Sequence, residues 1–281
     1  MRNDMLIEVT GIKFYIERYN RQNISKNSPI ILLHGFTGSG RDWDLLIPRI
    51  APEFKVYTID LIGHGKSGSP PLISYYETNS IVNQLKIIIS KLTSNKIILI
   101  GYSMGGRAAL SFAVKYPELV GGLIIESASA GIDDINLRNK RINADNLLAG
   151  FIESQPMEKF VDYWMSRELF KTQKYLSEDK LNSLRANKLK NNPVGLANIL
   201  RGFSTGKMPQ LMDKLSLIKS KAFLITGELD TKFTSINHEL VSKFPSAEHK
   251  IIKNAGHNTH LEKPQEFINM INFFLNKFLF P

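Results

Sequence analysis

NKIILIGYSMGGRAALSFAVK, residues 95–115, divides into a strand, a turn and a helix. Residues 96–100, Lys96 followed by an Ile/Leu run, are of strand length, and residues 106–115 carry small and apolar side chains at helical spacing. Between them stands Gly101-Tyr102-Ser103-Met104-Gly105. A strand that turns sharply into a helix over G-x-S-x-G lifts the serine hydroxyl clear of the sheet, and the helix N-terminus beneath it favours developing negative charge. The pentapeptide by itself recurs by chance. Its position between strand and helix is what makes Ser103 a candidate catalytic serine.

Outward from that turn, PIILLHG (29–35), KVYTID (55–60), VGGLIIESAS (120–129), KAFLITGELD (221–230) and EHKIIKNAGH (248–257) repeat the pattern of a buried strand running into a loop. Such runs, separated by helical segments, predict an α/β fold with a mainly parallel, doubly wound sheet. LIEVTGIKFYIER (6–18) alternates with period two and turns at Gly11, predicting an antiparallel hairpin at the sheet edge. Between Ser129 and Lys207 the strand pattern stops. LRNKRINADNLLAGF, PMEKFVDYWM, EDKLNSLRANKL and VGLANILRGF predict a helical cap inserted at approximately 131–206 of a single domain spanning 1–281. PQEFINMINFFLNKF (264–278), with Pro264 in a first turn, predicts a closing amphipathic helix.

The length of 281 residues and 43% hydrophobic content suit one large core. Cysteine is absent, which excludes disulfides and thiolate metal sites. The polar N-terminus has no apolar signal region, and no run reaches the ~18 apolar residues that would cross a bilayer, so a cytoplasmic protein without membrane insertion is expected. The formal net charge of +10 points to an anionic partner. The lysines are scattered and form no basic–aromatic RNA motif, which argues against nucleic acid. Gly65-Lys66-Ser67 is not a phosphate loop, because Asp60 stands where that motif needs glycine.

A serine hydroxyl becomes reactive when a histidine takes its proton and a carboxylate holds that histidine. Asp230 follows the strand over 222–226, and His257 follows the next strand, both at strand C-terminal ends. Glu228 is a rival acid, and a helix cap is an alternative role for Asp230. Among the other histidines, His238 and His249 fall in surface-like contexts, His260 neighbours the site, and His34 is a loop brace. His34-Gly35-Phe36-Thr37-Gly38 lies where an oxyanion loop belongs, so the backbone N–H groups of Phe36 and Met104 are the expected donors.

These motifs resemble the α/β-hydrolase superfamily and, more narrowly, the 2-succinyl-6-hydroxy-2,4-cyclohexadiene-1-carboxylate synthase family of menaquinone biosynthesis. LHGFTGSGRDW, DLIGHGKS, GYSMGGR, ESASAGI, the spaced Arg138, Arg141 and Asp145, GFSTGKMPQL, GELDTKF and AGHNTHLEKP carry the resemblance over almost the whole chain. Ile62 and Ala130 depart from it, each where proline is usual. The resemblance implies a bacterial lyase that eliminates pyruvate from a small substrate bearing three carboxylates, with no cofactor, no metal and no obligatory protein partner. It further implies that Arg107, Arg141 and Arg185 bind carboxylates beside Tyr102 and Trp164. A carbon–carbon bond hydrolase or a carboxylesterase of the same fold shares the Ser, Asp and His set and is the alternative. A non-catalytic binding protein would leave that set without a use.

Overall fold

In the computed structural model, residues 2–19, 28–50 and 54–276 are described. Strands β1 (Arg2–Val9) and β2 (Ile12–Tyr19) pair antiparallel about Thr10-Gly11. Both turn residues have positive φ, 50° and 80°, as the two-residue hairpin turn that matches strand twist demands. β2 passes antiparallel to β4 (Val56–Ile59), and from there the sheet is parallel through β3 (Ile30–Leu33), β5 (Ile97–Tyr102), β6 (Val120–Glu126), β7 (Lys221–Gly227) and β8 (Ala247–Ile252). The order is β1-β2-β4-β3-β5-β6-β7-β8.

The central strands are apolar throughout because both faces are covered. Ile31, Leu33, Ile97 and Leu99 pack with α1 (Thr78–Leu92), α2 (Met104–Lys115) and α7 (Thr231–Val241), through residues such as Leu85, Phe112 and Leu240. Their alternate neighbours Ile30, Leu32, Ile98 and Ile100 face Trp43, Phe54 and the Phe267 and Phe274 side chains of α9 (Pro264–Phe274). The period of two along each strand thus feeds two separate apolar layers. The last residues of the predicted closing helix lie outside the described residues. The short α8 (Thr259–Glu262) precedes α9.

Between β6 and β7 the chain forms α3 (Ile135–Ser154), α4 (Met157–Met165), a 3₁₀ segment Glu168–Tyr175, α5 (Glu178–Lys188) and α6 (Pro193–Phe203). These build an apolar cluster of their own from Ile152, Phe160, Val161, Leu196 and Leu200. Phe36, in the loop after β3, packs against both this cluster and the main core. Among the described residues, no helix is long and apolar enough to cross a membrane.

Candidate active site

Ser103 sits between β5 and α2 with φ 50° and ψ −106°, a conformation that costs a non-glycine residue energy and is kept where the surroundings enforce it. Its N–H donates to the Glu126 carbonyl at 2.8 Å. The turn is closed so tightly that a Cβ on Gly105 would lie 2.3 Å from the Leu33 carbonyl oxygen, and one on Gly101 would lie 2.4 Å from that of Gly105. Glycine is required at both places.

Nδ1 of His257 lies 2.7 Å from Oδ2 of Asp230, and its Nε2 lies 3.0 Å from Oγ of Ser103. A carboxylate only accepts, so Nδ1 carries the proton and Nε2 is left as acceptor for the serine hydroxyl. His257 is 1% exposed and Asp230 7% exposed, so water does not compete for either bond. Asp230 also caps α7, accepting the Phe233 N–H, so the alternative role found from sequence coexists with the first. Glu228 is exposed and accepts the Asn254 N–H at 3.0 Å, bracing the turn where Asn254 has φ 53°. It does not meet His257.

His34 is buried and braces its loop: Nε2 accepts the Leu61 N–H at 3.0 Å, and Nδ1 donates to the Gly35 carbonyl at 2.8 Å. The Phe36 and Met104 N–H groups have no acceptor among the described residues. Met104 opens α2, so its amide adds to the positive end of that helix. His238 and His249 lie outside the cavity wall, and His249 sits at 2.8 Å from the Thr226 hydroxyl with burial holding its pKa below the ordinary value.

Ser103, Asp230 and His257 open into a cavity of about 510 Å³, the size of a small-molecule site. Tyr102, Phe170 and Phe233 surround the His257 ring at centroid distances of 5.5, 6.2 and 4.5 Å, and Trp164 meets Phe36 edge-on at 5.0 Å. Arg107 lies one turn along α2 from Ser103, donates to the Phe203 carbonyl at 2.5 Å and sits over the Phe203 ring. Burial, helped by the charge of Arg141 and opposed by Asp145, pushes its guanidinium down to about 9. Arg141 donates to Asp145 at 2.6 Å along α3. Only Arg141 is paired with the buried Asp145 carboxylate, while the Arg107 guanidinium donates to a neutral carbonyl, which leaves this wall positive.

Arg185 is not brought to the cavity. Its guanidinium forms a two-point pair with Asp162, at 2.7 and 3.1 Å, and the packing of α4 against α5 is what joins residues 23 apart in sequence. The third arginine in the wall is Arg167, held by the Tyr163 hydroxyl at 2.9 Å and placed 5.9 Å above the Trp164 ring. Sequence reasoning missed it, although WMSRELF sets it three residues beyond Trp164. Lys188 and Asn191 were missed too. The Lys188 ammonium, its pKa lowered by burial, donates to the Thr37 hydroxyl at 2.9 Å, and Asn191 donates to the Thr37 carbonyl at 2.9 Å. The end of α5 therefore grips the loop that carries Phe36. Arg138 donates to the Gly206 and Met208 carbonyls and braces the segment after α6.

Among the described residues, no group of three or more histidine and carboxylate side chains could hold a metal ion.

A family model described as the alpha/beta hydrolase fold matches residues 28–264. The chain is 41% identical over 246 residues to a Bacillus subtilis (strain 168) protein assigned as a 2-succinyl-6-hydroxy-2,4-cyclohexadiene-1-carboxylate synthase, covering 88% of this chain and 89% of that one. It is 30% identical over 235 residues to the synthase of that name from Enterobacter sp. (strain 638), covering 84% and 86%. The solved structure of MenH from S. aureus superposes with a TM-score of 0.88 at 32% identity, covering 96% of this chain and 99% of that one.

Proposed function

The chain belongs to the α/β-hydrolase-fold family and, within it, to the 2-succinyl-6-hydroxy-2,4-cyclohexadiene-1-carboxylate synthases, and from that premise we propose how its own residues run the reaction. The family reaction is a carbon–oxygen lyase step of menaquinone biosynthesis on a small molecule, and it is the activity of this chain. The substrate is the tricarboxylate 2-succinyl-5-enolpyruvyl-6-hydroxy-3-cyclohexene-1-carboxylate. Ser103, its proton passed to Nε2 of His257, removes the proton α to the succinyl ketone. The electron pair of that C–H bond forms an enolate held by the Phe36 and Met104 N–H groups. As the enolate collapses, the ring double bond shifts and the carbon–oxygen bond to the enolpyruvyl group breaks. The leaving enolate takes up the proton and becomes pyruvate, so no water is consumed. Asp230 orients His257 and stabilises its cation.

Arg107 and Arg141 bind substrate carboxylates, since planar guanidinium groups match carboxylates at two points. Arg167 takes the third place in the cavity wall, with Tyr102 and Trp164 completing the pocket. The helices over 131–206 act as the cap, and the cysteine-free chain works in the cytoplasm. One observation carries this reading: the hydrogen-bonded Ser103, His257 and Asp230 chain and the Arg107–Arg141 pair line the same cavity. A generic esterase for neutral esters has no use for that second wall. The test is to supply purified protein with the enolpyruvyl substrate and follow pyruvate. One pyruvate per substrate consumed is expected; release no faster than with Ser103→Ala would refute the proposal.

A further inference from the structure

Behind His257 lies a second histidine–carboxylate pair that the reaction above does not use. Glu126 ends β6 opposite Tyr102 of β5, and its carbonyl accepts the Ser103 N–H. Its carboxylate is 0% exposed. It accepts three hydrogen bonds, all from the start of α8: the Thr259 hydroxyl at 2.7 Å, the His260 N–H at 3.0 Å and His260 Nδ1–H at 2.6 Å. Thr259 and His260 lie two and three residues after His257 along the chain. The His260 ring stacks on Trp43 with centroids 4.3 Å apart and meets Tyr102 edge-on at 5.0 Å, while Tyr102 faces His257.

A carboxylate buried this deeply is costly, and the strand leading to it, Leu123-Ile124-Ile125, is filled by apolar side chains. What hydrogen bonds add over apolar packing is direction: they fix the distance and rotation of the segment they hold. Here the segment held is the one that carries His257, and the residue holding it also holds the backbone of Ser103. We infer that Glu126 is a positioning residue for the reaction: its carbonyl anchors the nucleophile turn, its carboxylate anchors the base-bearing loop, and together they set the Ser103–His257 alignment. A second carboxylate, Glu262, fastens the other side of that loop by accepting the Gly256 N–H at 2.7 Å and the Thr172 hydroxyl at 3.0 Å. It cannot substitute for Glu126, because it makes no bond to the strand end that carries Ser103.

The inference rests on the proposed triad, so it needs a readout independent of the natural substrate. Phosphonylation of Ser103 by a fluorophosphonate probe reports the serine–histidine alignment and requires no lyase chemistry. Glu126→Gln keeps the shape but loses the acceptor for His260 Nδ1–H; Thr259→Val removes one donor and retains the volume. Misplacement of a reacting group by ~1 Å can cost about 100-fold, so Glu126→Gln should lower kcat by roughly 10- to 100-fold with KM changed by less than about twofold. Thr259→Val, the variant that decides the matter if Glu126→Gln does not fold, should lower kcat by roughly 3- to 10-fold. Phosphonylation should slow by matching factors in each. A lower Tm with wild-type kcat and wild-type phosphonylation rate in the folded protein would overturn the inference, since a tie that only stabilises the fold has that signature. Failure of the lyase reading would show elsewhere, as absence of pyruvate from the wild type.

Discussion

The two walls of the cavity are built on opposite principles. On the sheet wall each proposed reacting group is hydrogen-bonded and seated on the end of a strand, Ser103 after β5, Asp230 after β7 and His257 after β8, the last two buried. On the helical wall the groups are charged and held by unlike partners, Arg107 by the Phe203 carbonyl, Arg167 by the Tyr163 hydroxyl and Arg141 by the Asp145 carboxylate; Arg141 is 39% exposed and Asp145 only 5% in their side chains. The first wall brings its groups within hydrogen-bond reach of one another, as proton transfer requires. The second supplies charge that tolerates small displacements, as anion binding requires. The proposed roles put chemistry on the sheet and recognition on the helices.

That contrast orders the expected effects of mutation. Ser103→Ala and His257→Ala should each lower kcat by at least ~10³-fold, because members of such a set act as a unit. Asp230→Asn should be nearly as damaging and Glu228→Gln mild, given that Glu228 only braces the Asn254 turn. If either Ser103 or His257 variant kept a tenth of the wild-type kcat, the sheet wall would not be the seat of the chemistry.

Next come the cavity arginines. Loss of a charge-assisted hydrogen bond is worth about 1.5 to 3 kcal/mol, so Arg107→Ala and Arg141→Ala should lower kcat/KM by roughly 10- to 150-fold. Lysine at either place should restore only part, since the fork geometry is lost. Arg141→Ala should in addition lower Tm, because it leaves the Asp145 carboxylate buried without its partner. A cost below about threefold for both would separate the helical wall from substrate recognition.

The smallest effects sharpen the comparison within the helical wall itself. Arg167→Ala should cost roughly 3- to 10-fold in kcat/KM, less than the inner pair because its guanidinium stands in a wetter place. Arg185→Ala should change kcat/KM by less than about twofold, and stability by less than ~1 kcal/mol, as expected of an exposed pair. The reverse ranking of these two, measured side by side, would restore Arg185 to the site and remove Arg167.

The same contrast explains what could be read in advance. The sheet wall was legible because each of its residues is announced by its own neighbours: an apolar run, then Gly-x-Ser-x-Gly, or a run ending in Asp230 or His257. Chain position alone then placed the three at one rim. On the helical wall Arg107 was reached only through the family resemblance, carried by GYSMGGR just past the turn. Arg185 and Arg167 look alike in sequence, both arginines near a cap aromatic or leucine. Which one faces the cavity is decided by Asp162, 23 residues before Arg185, and by Trp164 and Tyr163 beneath Arg167. The grip of Lys188 and Asn191 on Thr37 spans about 150 residues and leaves no periodic signal. Glu126 reads as one polar residue at a strand end until His260 is seen against it.

The central claim is that this serine, histidine and aspartate set runs an elimination rather than a hydrolysis. Turnover of the enolpyruvyl substrate in oxygen-18 water tests it most directly, because hydrolysis of an ester or carbon–carbon bond must leave one solvent oxygen in a carboxylate and elimination leaves none. Pyruvate exchanges its ketone oxygen with water, so the ring product and any released succinate are the species to examine by mass spectrometry. The account predicts a cyclohexadiene product of unshifted mass, formed at the rate of pyruvate release. Succinate carrying one oxygen-18 in a carboxylate, or a ring product carrying one solvent oxygen, would contradict it.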